Sequence, residues 1–216
     1  ILGRKLAQQN TVKIKEFMKK YFYFILIVSL IGFGTIILLI RQFVCIYIGN
    51  NSDYSYDRVI FPFIIAISQM IICIREPFNL LIISANKFKE TNKGAAIEAI
   101  LNIVISLFFI KKCGLVGVAV GTLIASLYRL CYFYMYLCKN IIMLNYKIIF
   151  KPLFLLVSYI SIIALYYFKI DNYNVENWMY FFKNAIFIIA INVVVLFILI
   201  IIIFGADIIK LWKKRQ

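Results

Sequence analysis

The chain has 216 residues, 64% of them hydrophobic, and a formal net charge of +15 with no histidine. Its mean hydropathy of +0.95 excludes a soluble domain, which at this length needs far more polar surface to cover itself. The missing histidine excludes His-based catalysis and His-ligated metal.

The apolar runs are continuous and roughly 16 to 27 residues long. They read as transmembrane helices rather than the short alternating strands of a barrel. The predicted fold is therefore an all-α polytopic membrane bundle in residues 21–206. Its six spans are expected at about 22–48, 59–85, 95–110, 115–138, 148–168 and 185–204. Ahead of them, residues 1–20 form a cytoplasmic segment. Within it TVKIKEFMKKYF (11–22) is an amphipathic approach lying on the membrane surface, with a helix start at Asn10 or Thr11. Residues 207–216 are a basic cytoplasmic tail. The first residue is Ile1, and the chain reads as a fragment of something longer or a truncated gene product.

The charges fall in clusters between spans. One side of the membrane receives Arg4, Lys5, Lys13, Lys15, Lys19, Lys20, Lys87, Lys89, Lys93, Lys139, Lys147, Lys151, Lys210, Lys213, Lys214 and Arg215, sixteen in all. The other receives five (Arg58, Lys111, Lys112, Lys169 and Lys183) alongside Asp53, Asp57, Asp171 and Glu176. The positive-inside rule then places both termini in the cytoplasm, with the Lys111-Lys112 pair as the discordant loop. Clusters of this kind leave no soluble basic face for nucleic acid, so no nucleic-acid partner is expected. Tyr21, Tyr23, Tyr54, Tyr56, Tyr166, Tyr167, Trp178 and Trp212 fall near span ends, as interface anchors do. Cys45, Cys73, Cys113, Cys131 and Cys138 lack CxxC spacing and read as small apolar residues. No cofactor, metal or catalytic constellation is expected.

Few residues inside the spans can carry chemistry. In the first, Gly32 and Gly34 suggest a hinge or close contact. In the second, Arg75-Glu76-Pro77 interrupts an apolar run, and an ionisable residue at depth needs a partner or a polar cavity. Asn79 lies one turn beyond Arg75 on the same side. Together they read either as an anion-binding pair on a water-filled cavity or as an arginine snorkelling to the headgroups. Glu98 and Asn102 share a face of the third span, and Arg129 reaches similar depth in the fourth. Arg75, Glu76, Glu98 and Arg129 thus form a candidate polar cluster, which an ion-pair network explains equally well. The fourth span opens after Gly114, and Gly117, Gly121 and Ala125 recur every four residues as a stripe for close helix approach, with Arg129 continuing the row. Pro77 adds a hinge candidate.

The run REPFNLLIISANKFKET (75–91), followed by KGAAIEAILNIVISL (93–107) and GLVGVAVGTLIASLYRLCYFYMYL (114–137), resembles bacterial polysaccharide transporters. These are the lipid-linked oligosaccharide flippases of the multidrug/oligosaccharidyl-lipid/polysaccharide exporter superfamily. GRKLAQQN (3–10) resembles a cytoplasmic loop of their C-terminal lobe. The resemblance implies a partial C-terminal lobe of a two-lobe, alternating-access transporter in the bacterial cytoplasmic membrane. Its implied partners are an undecaprenyl pyrophosphate-linked oligosaccharide, membrane lipids, the missing N-terminal lobe and polysaccharide-assembly proteins. It also implies that Arg75 and Asn79 hold the headgroup, while Glu76 falls at a more variable position. Two alternatives stand beside it. One is a small-molecule antiporter of the same superfamily using Glu98; the other is a non-transporting scaffold subunit.

Overall fold

The computed structural model describes residues 11–48, 57–141, 150–169 and 177–213. They form six helices: α1 (Thr11–Ile48), α2 (Asp57–Ser84), α3 (Phe88–Cys113), α4 (Leu115–Asn140), α5 (Phe150–Lys169) and α6 (Trp178–Lys213), with no strand among the described residues. Each helix holds a stretch long and apolar enough to cross a membrane. The protein is an all-α, multi-pass membrane helix bundle. Expectations resting on residues 3–10, on Asp53, Tyr54, Tyr56, Lys147, Asp171, Glu176, Lys214 and Arg215, and on the side chains of Lys13, Cys45, Asp57, Arg58, Lys169, Lys210, Trp212 and Lys213 lie outside the described residues.

The chain divides into two compact units. One falls within Ile1–Ser29 and Tyr54–Tyr146, the other within Leu30–Asp53 and Lys147–Gln216. In the first unit, α1 begins at Thr11 and runs without a break into its span. Ile14 and Met18, on the apolar face of the leading segment, are buried with Phe78, Leu81, Ile82, Phe133 and Leu137. That face is covered by α2 and α4 rather than laid on lipid. Phe22 stacks on Phe78 at 5.1 Å, and Lys20 pairs with Glu16 on the exposed side at 2.8 Å.

Helix α2 continues through Pro77 to Ser84 although proline has no N–H to donate to the preceding turn. The turn that follows holds Asn86, whose φ of 57° places it in the left-handed region that asparagine tolerates. Asn86 N–H then donates to the Ile83 carbonyl (2.9 Å) and Lys87 N–H to that of Ile82 (3.0 Å). This paired closure caps the orphan carbonyls. The turn is so tight that α3 starts at Phe88, earlier than the expected 95, and carries Lys89 and Lys93 as helical residues. Gly114 (φ 54°, ψ −135°) joins α3 to α4 in a conformation suited to glycine, with open space where a Cβ would stand. Lys111 and Lys112 occupy the last turn of α3, where the helix dipole favours cations, a local reason for the discordant pair.

In the second unit, the C-terminal part of α1 packs with α5 and α6. Leu30, Ile37, Leu155, Tyr159, Ile163, Tyr167, Ile188 and Leu196 are buried. Tyr167, near the end of α5, is therefore part of the packing of this unit. A Cβ on Gly34 would collide with the Tyr159 ring and hydroxyl and with Ile163, whereas Gly32 faces open space. Gly34 is the close contact of that pair. Tyr159 donates its hydroxyl to the Leu30 carbonyl (2.8 Å), and Asn192 Nδ2 donates to Thr35 Oγ1 (3.1 Å). Helix α6 begins at Trp178, with the Met179 N–H donating to the capping Asn177 Oδ1 at 3.4 Å.

Candidate functional site

Three charged residues meet in the first unit because their helices bring them to one level. Arg75 lies nine residues before the end of α2 at Ser84. Glu98 lies ten residues after the start of α3 at Phe88, and Arg129 eleven before the end of α4 at Asn140. At a helical rise of about 1.5 Å per residue, all three stand roughly 14 to 16 Å from the same end of the three helices.

Glu98 bridges the two arginines. Its Oε1 accepts from Arg75 Nη1 at 2.5 Å, and its Oε2 lies 3.5 Å from Arg129 Nε. The Arg129 guanidinium is held separately as well: Nη1 donates to the Thr91 carbonyl (3.0 Å), and its carbon sits 4.2 Å from the centre of the Phe133 ring. Tyr132 adds a second ring at 5.6 Å. Gly94 makes room for this arrangement, since a Cβ there would come within 2.6 Å of Arg129 Nη1 and 2.5 Å of Tyr132 Cε1. The side chains of Arg75, Glu98 and Arg129 are 17%, 23% and 9% exposed. In contact, two guanidiniums share one carboxylate, which leaves a unit of positive charge among apolar helices. Arginine keeps its proton in proteins, so the cluster suits holding an anion rather than acid–base exchange.

Glu76 and Asn79 stand apart from this cluster. Glu76 is one residue and about 100° around the helix from Arg75; it is exposed, and its Oε2 accepts from Asn79 Nδ2 at 3.2 Å. Arg75 and Asn79, expected as an anion-binding pair, have separate partners: Arg75 pairs with Glu98 and Asn79 with Glu76. Pro77, between them, is fully buried. Asn102 belongs to a different contact, its Oδ1 accepting from Ser106 Oγ (3.2 Å) and Thr122 Oγ1 (3.4 Å). That contact ties α3 to α4.

The small-residue stripe of α4 packs on α3. A Cβ on Gly117 would approach the Phe109 carbonyl carbon to 2.6 Å, and one on Gly121 would approach the Asn102 carbonyl oxygen to 3.0 Å. Gly117, Gly121, Ala125, Arg129, Phe133 and Leu137 are all buried along one row. Gly114 precedes the row and serves as the turn.

Thr91, Gly94 and Phe133 complete the site and are not singled out by sequence reasoning. The signal was present: Thr91, Gly94, Glu98 and Asn102 recur at helical spacing, but a span drawn from residue 95 cuts the row in half. Nearer the helix ends, Glu90 accepts from Lys87 Nζ at 2.5 Å and from the Tyr136 hydroxyl. Cys73, Cys113, Cys131 and Cys138 are free thiols. No protein-family model, no curated protein and no solved structure matches this chain.

Proposed function

We propose that this chain is the C-terminal part of a transporter that moves a lipid-linked oligosaccharide across the bacterial cytoplasmic membrane by alternating access. The cargo class is an undecaprenyl pyrophosphate-linked glycan. The single observation that carries the reading is the cluster in which Arg75 and Arg129 share Glu98 within three apolar helices. Charged groups at such depth are costly and mark substrate paths when they face a cavity. The residues around Arg75 are also those that resemble the flippase pattern.

A net positive cluster supports an anion site over a cation site. An antiporter using Glu98 to bind a cation would need carboxylate oxygens turned toward its cargo, and here both face guanidiniums. The proposal assigns no catalytic step. In this reading both ends of the chain are cytoplasmic, as the positive-inside rule favours, with the cluster nearer that face.

Replacing Arg75 by Ala in the full-length protein is expected to abolish export of surface polysaccharide while leaving the protein in the membrane, checked by immunoblot of the membrane fraction. Export at the wild-type level overturns the assignment of Arg75.

A further inference from the structure

We propose that the Arg75–Glu98–Arg129 cluster is a phosphate- or diphosphate-ester site kept closed by its own carboxylate. Glu98 occupies the anion position between the two guanidiniums, and an incoming ester displaces it. The inference rests on the transporter reading and deepens it: Arg129 becomes a second anchor, and Glu98 an internal counter-anion.

The geometry carries this in three ways. Glu98 directs one oxygen to each arginine, the bridging arrangement that two oxygens of a phosphate group can also take. The bridge is uneven. The arm to Arg75 is 2.5 Å, but the arm to Arg129 is 3.5 Å, well beyond the about 2.7–2.9 Å of a charge-assisted hydrogen bond. A larger anion with more oxygens can satisfy both arms where this carboxylate satisfies one. Finally, Arg129 does not depend on Glu98 for its position, because the Thr91 carbonyl and the Phe133 ring hold it on other sides.

Accessibility fits the same order of events. Glu98 is the most exposed of the three side chains and Arg129 the least. It projects from α3, the helix with the smallest buried share of its apolar window. Glu98 and Arg75 are the partly exposed members that an incoming anion reaches first, and the buried Arg129 forms the floor. Removing the carboxylate's charge leaves two neighbouring cations with no shared anion, which raises the demand for an external one.

The test uses the full-length protein in nanodiscs of zwitterionic phosphatidylcholine. The probes are inorganic pyrophosphate, a polyprenyl diphosphate and, as a neutral control, the polyprenol. In the wild-type protein, labelling of Glu98 by a hydrophobic carbodiimide is expected to rise when a diphosphate is added. Phenylglyoxal labelling of Arg75 and Arg129 is expected to fall together, with both read by peptide mass spectrometry. Glu98→Gln is expected to bind the polyprenyl diphosphate about tenfold more tightly, equivalent to ~1.4 kcal/mol.

A response to the polyprenyl diphosphate alone identifies a lipid headgroup as the source. A response to inorganic pyrophosphate as well supports the shared chemistry without need of the lipid. Glu98 labelling that stays constant, protection of Arg75 without Arg129, an equal response to the polyprenol, or a folded Glu98→Gln protein that binds no more tightly overturns the proposal. Should Glu98→Gln fail to fold, the wild-type labelling decides. Export that depends on Arg75 while Glu98 labelling never moves sinks the displacement alone. Labels that respond to pyrophosphate in a protein that supports no export sink the transporter reading alone.

Discussion

In the first compact unit α2, α3 and α4 share an ionic contact, Arg75 on α2 and Arg129 on α4 meeting Glu98 on α3, beside the neutral contact of Asn102 with Thr122. In the second, the two buried hydrogen bonds described between helices are neutral. Tyr159 reaches the Leu30 carbonyl, and Asn192 reaches Thr35. Both units also use glycine for close approach, Gly94, Gly117 and Gly121 in the first and Gly34 in the second. In the second unit α1, α5 and α6 thus meet at neutral hydrogen bonds and a small residue, with Lys151 set against the Phe204 ring. The proposed anion site rests on this ionic contact of the first unit, whose net positive charge favours an anion over a cation.

The contrast is broken most directly by removing one charge. Glu98→Ala leaves two guanidiniums without their carboxylate and is expected to lower stability by about 3–5 kcal/mol. Replacing Arg75, Glu98 and Arg129 together by Met is expected to restore stability to within about 1 kcal/mol of wild type, since an apolar core of similar volume replaces a buried ion cluster at little loss. Unfolding titrations in mixed detergent measure both. If Glu98→Ala unfolds like the wild type, the ionic contact contributes nothing and the contrast collapses.

A smaller effect is expected from sterics in the second unit. Gly34→Leu drives a side chain into Tyr159 and Ile163 and should lower stability by about 1–3 kcal/mol. Gly32→Leu, pointing into open space, should stay within about 0.5 kcal/mol. The same titration separates the two, and equal losses would show that helix propensity rather than contact governs α1. The smallest change is Tyr159→Phe, which keeps the ring and loses one hydrogen bond, for about 1 kcal/mol. A loss as large as that of Glu98→Ala would mean that the neutral unit is as dependent on polar contact as the ionic one.

Much of the architecture was legible. Long apolar runs can satisfy their backbone in a membrane only as helices, so six spans follow from hydropathy alone. The row Gly117, Gly121, Ala125, Arg129 was readable because a four-residue repeat keeps one face of a helix. Helix ends were less so. Asn86 closes α2 so sharply that α3 starts at Phe88, and hydropathy cannot see a polar first turn such as FKET as helical. The leading segment shows the same limit. An amphipathic stripe looks alike whether lipid or protein covers it, and Ile14 and Met18 are covered by Phe78 and Phe133.

Sequence by itself determined the membrane and the helices, because a continuous apolar run satisfies its backbone in a bilayer only as a helix. The common level of Glu98 with the arginines needed the observed start of α3 at Phe88. Only the tertiary structure decided the partners. Arg75 could equally have turned to Asn79 on its own helix, and Glu76 is its nearest acidic neighbour in the chain. Which one it meets depends on the rotation of each helix about its axis, set by contacts such as Gly94 against Tyr132 and Gly121 against Asn102. Those contacts turn Glu98 toward both arginines and leave Glu76 to Asn79.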